Sequence, residues 1–213
     1  MWPKTDPRLR SCVSAGMSQP TDIAALIGSR ICHDLVNPIG AIGNGVELLG
    51  MIGVEGEELA LIRESVAQAQ TRLLLMRLAF GTASAEAQVT GTEMANAVGG
   101  AALGERLKVT CTLPEMLARR EARLATLLLL CCQSVMPRGG QIDLHAGPDG
   151  WRIEARAERL QTDKPAFAAL ASGSAMPPLI PAEVQFALAP DALAETGRRL
   201  HVQAGDGQLT LSF

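Results

Sequence analysis

Tyrosine is absent from this chain of 213 residues, and two Trp and four Phe bring the aromatic share to only 3%. So little stacking surface argues against a nucleic-acid groove built on aromatic platforms. Neither sign of charge dominates. The 19 Lys and Arg face 22 Asp and Glu, a net of −3, so no broad field draws the chain to nucleic acid or to an anionic membrane. A protein partner or a small substrate fits better. The five cysteines (Cys12, Cys32, Cys111, Cys131, Cys132) are odd in number, include no Cys-x-x-Cys pair and accompany only three His. Neither a disulfide framework nor a metal site fits that count, and they are expected as small core residues in a reducing compartment. The first twenty residues hold Pro3, Pro7 and Pro20 among scattered charges, without the apolar stretch of a signal peptide. The densest apolar run, Leu124 to Cys132, is far shorter than a membrane span. A cytoplasmic protein is expected, with a disordered extension over 1–20 and Met17 as an alternative start.

With 47% apolar residues the chain has enough core for two modest domains. A capping residue near Thr21-Asp22 opens a first helix that runs to about Ile52. Pro38 falls inside it, yet the apolar stripe keeps its phase through Ile42, Val46 and Leu49, so a bent but continuous helix is expected. After a turn carrying Gly50, Gly53 and Gly56, the residues Leu59, Ile62, Val66, Ala69, Leu73, Met76 and Phe80 alternate steps of three and four, a heptad seam. The short connection makes the two helices antiparallel neighbours. A lone hairpin over 21–82 cannot bury both stripes, so a homodimeric four-helix bundle is expected. The small, polar stretch 81–91 is the expected domain boundary.

Beyond it, over 91–213, the pattern predicts a helix over 92–102, a strand over 107–113, a long helix over 116–136, and a strand pair, 141–146 and 151–157, around Gly147-Pro-Asp-Gly150. A poorly patterned stretch follows to Pro181, then a helix near 190–197 and two strands, 200–204 and 208–213. Helices gathered on one face of a mostly antiparallel sheet make an α/β sandwich, and the whole chain an α+β protein. His145 and His201 fall in these strands and are expected to be structural.

The remaining histidine, His33, lies mid-helix. At roughly 100° per residue, Asp22, Leu26, Ser29, Arg30, Asn37, Gly40, Asn44 and Glu47 share its side, while Ala24, Ile27, Ile31, Leu35, Ile42, Val46 and Leu49 fall opposite. An acid follows it at Asp34, an amide at Asn37 and a proline at Pro38. The string His-Asp-x-x-Asn-Pro resembles the phosphoacceptor motif of two-component histidine kinases and histidine phosphotransferases. With its flanks, Arg30-Ile-Cys-His-Asp-Leu-Val-Asn-Pro-Ile-Gly-Ala-Ile-Gly-Asn44, it resembles the ChpT-type phosphotransferases of alphaproteobacterial cell-cycle phosphorelays. The resemblance is carried by residues 21–80. It implies a homodimer in which His33 relays a phosphoryl group from the receiver domain of a hybrid histidine kinase to response regulators. Asp34 and Asn37 are then the supporting catalytic residues, with Arg30, Gly40, Asn44 and Glu47 on the partner-facing side. No cofactor of its own is expected, the Mg²⁺ coming from the receiver.

Over 91–213 the order of elements resembles the ATP-binding domain of histidine kinases. In that family an Asn on the long helix holds Mg²⁺ and two glycine motifs bind adenine and phosphates. Here the long helix offers Cys131, Cys132 and Gln133 in that region, no Asn follows Asn96, and neither glycine motif occurs. A domain of that fold without ATP-dependent kinase activity is expected. An ATP-dependent sensor kinase core and a non-catalytic dimeric scaffold are the competing readings.

Overall fold

The structure, a computed structural model, describes residues 23–53, 56–104 and 106–213, with burial and side-chain contacts for all of these but 23–27, 29, 30, 33, 34, 100 and 101. The expected N-terminal extension, Met17 and Asp22 lie outside the described residues. Two long helices come first, α1 (Ile23–Met51) and α2 (Glu57–Phe80). α1 passes unbroken through Pro38, and the turn after it uses Gly53 at φ +81°, a left-handed conformation that glycine adopts without a Cβ clash. The two helices lie antiparallel and close, because small residues of α1 meet α2. A Cβ on Gly28 would come within 2.6 Å of the Phe80 carbonyl oxygen, and one on Gly43 within 3.3 Å of Val66 Cγ1.

The rest of the chain is a five-stranded sheet covered on one face by helices. Strands β2 (Leu107–Thr112), β4 (Gly140–Gly147), β5 (Gly150–Arg156), β6 (His201–Gly205) and β7 (Gln208–Ser212) stand in the order β2-β4-β5-β7-β6, with β2 parallel to β4 and the other pairs antiparallel. Alternation sets its two faces. Ile142, Leu144, Trp151, Ile153, Ala155, Leu209 and Leu211 are buried, while Asp143, Glu154 and Arg156 form an ion-paired ladder on the other side. Helix α5 (Arg119–Ser134) is the centre of the molecule. It packs on α2, on the sheet through β5, and on α7 (Val184–Thr196), and every residue from Ala122 to Leu129 is buried. Leu75, Leu78 and Ala79 of α2 belong to the same apolar cluster as this domain.

Several expected elements shift. The helix over 92–102 is two, α3 (Gly91–Val98), opened by a capping box between Thr90 and Glu93, and α4 (Gly100–Leu103), with Gly99 between them. The helix expected from Met116 starts at Arg119, because Met116–Ala118 is a short strand, β3, paired with β1 (Gln88–Thr90) inside the stretch read as a boundary. Strands of three residues are too short to impose a period on the sequence. The poorly patterned stretch contains α6 (Pro165–Ser172), with Pro at its start and Gly173 closing it at φ +66°, the asymmetry that marks helix ends. Pro190 does not start α7 but lies inside it. His145 and His201 are exposed on the outer face of the sheet. Among the described residues no helix is long and apolar enough to cross a membrane.

Candidate functional site

Helix α1 divides into three flanks. Gly28, Cys32, Ile39, Gly43, Val46 and Gly50 face α2, with Cys32 only 3% and Val46 6% exposed. Burial pushes the Cys32 thiol up, an effect that the charge of Arg77 opposes. A second flank carries Ile31, Leu35, Ile42 and Leu49, all exposed, at 53%, 45%, 53% and 42%. Val46, expected in that stripe, has gone to the α2 face. A third flank carries Asn37, Asn44 and Glu47, all exposed, and Gly40, whose missing Cβ would meet no atom within 4 Å. The helix period places position 33 on this third flank. The backbone of His33 and Asp34 is helical, while their side chains and that of Arg30 lie outside those described. The structure thus sets Asn37, Gly40, Asn44 and Glu47 on one open, polar surface in line with position 33.

The α2 seam differs from the expected heptad. Gly50 lies against Arg63, Gly43 against Val66 and Gln70, and Gly28 against Phe80, with Leu59 and Leu73 buried between. The α1-facing row is therefore Leu59, Arg63, Val66, Gln70, Leu73, Arg77 and Phe80, and Ile62 and Met76 are left exposed. Ile62 joins Ile39, Ile42, Leu61, Ser65, Val66 and Ala69 around an apolar groove of about 310 Å³ beside the second flank.

A larger cleft of about 700 Å³ lies between α2, α5 and residues 180–185, lined by Leu75, Met76, Phe80, Leu130, Gln133, Ser134 and Lys164 among others. Its polar groups are occupied. Gln133 Nε2 donates to the Leu103 carbonyl at 2.7 Å, and Lys164 Nζ donates to the Ser134 carbonyl at 2.6 Å. Cys131 and Cys132 are buried, and burial pushes the Cys132 thiol up to about 12, so neither is a thiolate at neutral pH.

A family model for the histidine phosphotransferase C-terminal domain matches residues 91–208. The chain belongs to the histidine phosphotransferase family. Within it, the chain is 37% identical over 123 residues to the protein phosphotransferase ChpT of Brucella abortus (strain 2308), a match that takes in 57% of this chain. The chain spans 59% of the length of that curated relative. A solved bacterial phosphotransferase superposes with a TM-score of 0.64 at 29% identity, over 92% of this chain and 98% of that one. The histidine kinase domain of the Erythrobacter litoralis EL346 blue-light activated histidine kinase lies further off, at a TM-score of 0.43 and 13% identity. The family match falls on the half of the chain that carries none of the kinase nucleotide motifs.

That half is fastened to the hairpin by three arginines of α5. Arg119 Nη2 donates to the Arg77 carbonyl at 2.5 Å, Arg123 Nε to the Ala79 carbonyl at 3.3 Å and Arg120 Nε to the Ala83 carbonyl at 3.3 Å, while Arg123 also pairs with Glu195 at 3.3 Å. Cations in the first turns of α5 oppose its own dipole. They complement the negative end of α2 instead, where Arg119 shares the Arg77 carbonyl with the Gly81 N–H and Arg123 takes the Ala79 carbonyl. Arg123→Met is expected to cost about 1–3 kcal/mol, because it leaves a buried carbonyl without this donor. Urea unfolding followed by circular dichroism measures the loss, and an unchanged midpoint would mean that the bond contributes nothing.

Proposed function

We propose that this protein is a relay phosphotransferase in which His33 accepts a phosphoryl group from a receiver-domain aspartate and passes it to another. The observation that carries the reading is the open third flank of α1, with Asn37, Gly40, Asn44 and Glu47 in line with position 33, in a chain of the histidine phosphotransferase family. Neutral imidazole is a nucleophile at physiological pH and, once phosphorylated, a good donor. A ring nitrogen attacks phosphorus, the bond to the receiver carboxylate breaks, and the electron pair leaves with that carboxylate. Asp34 holds the proton on the other ring nitrogen, and Asn37, one turn on, orients the phosphoryl oxygens. Arg30, Gly40, Asn44 and Glu47 meet the receiver, whose own acidic site supplies Mg²⁺. Receivers of a hybrid kinase as donor, and of response regulators as acceptors, fit this exchange.

The chain works as a homodimer, in this reading. Its support is the exposed apolar flank of α1, continuous with the groove beside α2, which a four-helix bundle would cover. ATP is not a donor. The amide at the long-helix position, Gln133, is spent on a backbone carbonyl, and Lys164 is likewise engaged. The charge on a transferring γ-phosphoryl would therefore meet little in the cleft to neutralise it.

The test is a phosphotransfer profile. A panel of receiver domains, each phosphorylated on Asp, is mixed with the protein, and label is followed into an acid-labile, base-stable adduct. Rapid labelling by at least one receiver and none by Mg·ATP alone is the expected result. Labelling by ATP alone would make the protein a kinase, and labelling by neither would remove the phosphotransferase reading.

A further inference from the structure

The proposed transfer needs positive charge beside the phosphoryl group, and the structure points to where the hairpin supplies it. On α2, Arg63, Gln70 and Arg77 recur at intervals of seven and so form one row. Arg63 lies across Gly50 and Gln70 across Gly43, so each step of seven along α2 matches a step of seven back along α1. The same spacing carries Arg77 to the turn of α1 between position 36 and Cys32, the turn that includes position 33. The row runs on the histidine side of the seam. Gly43 lies roughly 80° from position 33 around α1, whereas Ile42 of the apolar flank lies roughly 180° away, at 100° per residue. Arg77 is exposed, its charge reaches Cys32, the residue before His33, and its own carbonyl is pinned by Gly81 N–H at 3.2 Å and by Arg119 Nη2 at 2.5 Å.

We propose that Arg77 is a catalytic residue, its guanidinium contacting the phosphoryl oxygens as the group passes between the receiver aspartate and His33. The proposal rests on the phosphotransfer reading above. Guanidinium suits the task, since it stays charged throughout, presents a planar fork to two oxygens and exchanges no proton with them. The phosphorus–carboxylate bond breaks as the nitrogen–phosphorus bond forms, and Arg77 acts only by offsetting charge on the equatorial oxygens. The other arginine of the row, Arg63, stands two heptads away, roughly 21 Å along the helix, while Arg119 and Glu93, whose charges also interact with that of Arg77, belong to the sheet domain.

The experiment compares wild type, Arg77→Met and Arg77→Lys in phosphotransfer from the most active receiver of the panel. Loss of one preorganised charge is expected to lower kcat about 100-fold in Arg77→Met, with KM changed much less. Arg77→Lys should fall between, and added guanidinium should partly restore Arg77→Met, which a merely structural defect would not allow. Circular dichroism should show unaltered helicity in both variants. An Arg77→Met protein within about threefold of wild type, well inside the loss seen when such a charge is removed, would overturn the assignment. So would a loss that follows loss of helicity and that guanidinium does not restore. If wild type itself accepts nothing from any receiver, the phosphotransfer reading falls and this one with it; if wild type is active and Arg77→Met equally so, only the role of Arg77 falls.

Discussion

His33→Ala is expected to accept no label from any phosphorylated receiver while keeping the melting temperature and the assembly state of the parent. The chemical loss is total because no other described His stands near α1: His145 and His201 are on the far sheet. The fold should be indifferent, because the flank that holds position 33 is exposed at Asn37, Asn44 and Glu47, and Ala has the highest helix propensity. A stability change within about 0.5 kcal/mol is expected, as for surface positions generally. Acid-labile labelling and thermal denaturation measure the two halves of this prediction. A mutant that loses helicity or precipitates would show that His33 packs in a core, and a mutant that still labels would move the phosphoacceptor elsewhere.

On the homodimer proposed above, the double substitution Leu35→Glu with Ile42→Glu is expected to yield a folded monomer. The two positions are seven apart on the exposed apolar flank of α1, so a symmetric bundle would receive four carboxylates at its seam, each costing several kcal/mol to desolvate without a partner. In the single chain both positions already face solvent, and the hairpin should keep its helicity. Val66 and Leu73, which the heptad pattern also singles out, are poorer probes. Leu73 is buried within one chain and Val66 packs against Gly43, so charge there would break the hairpin itself. Sedimentation paired with circular dichroism decides the matter, and a double mutant that remains a dimer would mean that the apolar flank serves another surface.

How legible this molecule was depends on which physical signal each part left in its residues. The continuity of α1 through Pro38 followed from a stripe that never lost phase, and the 147–150 hairpin from alternation on both sides of a Gly-Pro-Asp-Gly turn. The α2 seam misled, because Ile62 and Met76 look like core by chemistry, whereas the row against α1 includes Arg63, Gln70 and Arg77. Gly50 and Gly43 on the opposing helix make room for Arg63 and Gln70, and a pattern that counts only apolar residues passes over them. The string His-Asp-x-x-Asn-Pro stood out in sequence, and Asn37, Gly40, Asn44 and Glu47 fall on one flank as the helix period required. The family match, by contrast, lies over residues 91–208, where individual motifs are missing and only the order of elements speaks. The engagement of the cleft's polar groups was hidden for the same reason. Gln133 and Lys164 gave no sign in sequence that backbone carbonyls of Leu103 and Ser134 would claim them.

The arginines that grip the end of α2 bear on how this chain can be taken apart. Arg119, Arg120 and Arg123 bond to main-chain oxygens, which every sequence possesses, and Arg119 does so beside a buried Gly81, where a Cβ would lie 3.4 Å from its Nη2. The last turns of α2 also share an apolar cluster with α5 and the sheet, so the point where the sequence turns small and polar is not the point where packing ends. A cut there would strip Leu75, Leu78 and Ala79 of their cover and take from Arg119 and Arg123 the α2 carbonyls they hold. The hairpin and the sheet domain are thus expected to unfold together. The hairpin of this chain, moved to another protein, would have to bring α5 with it.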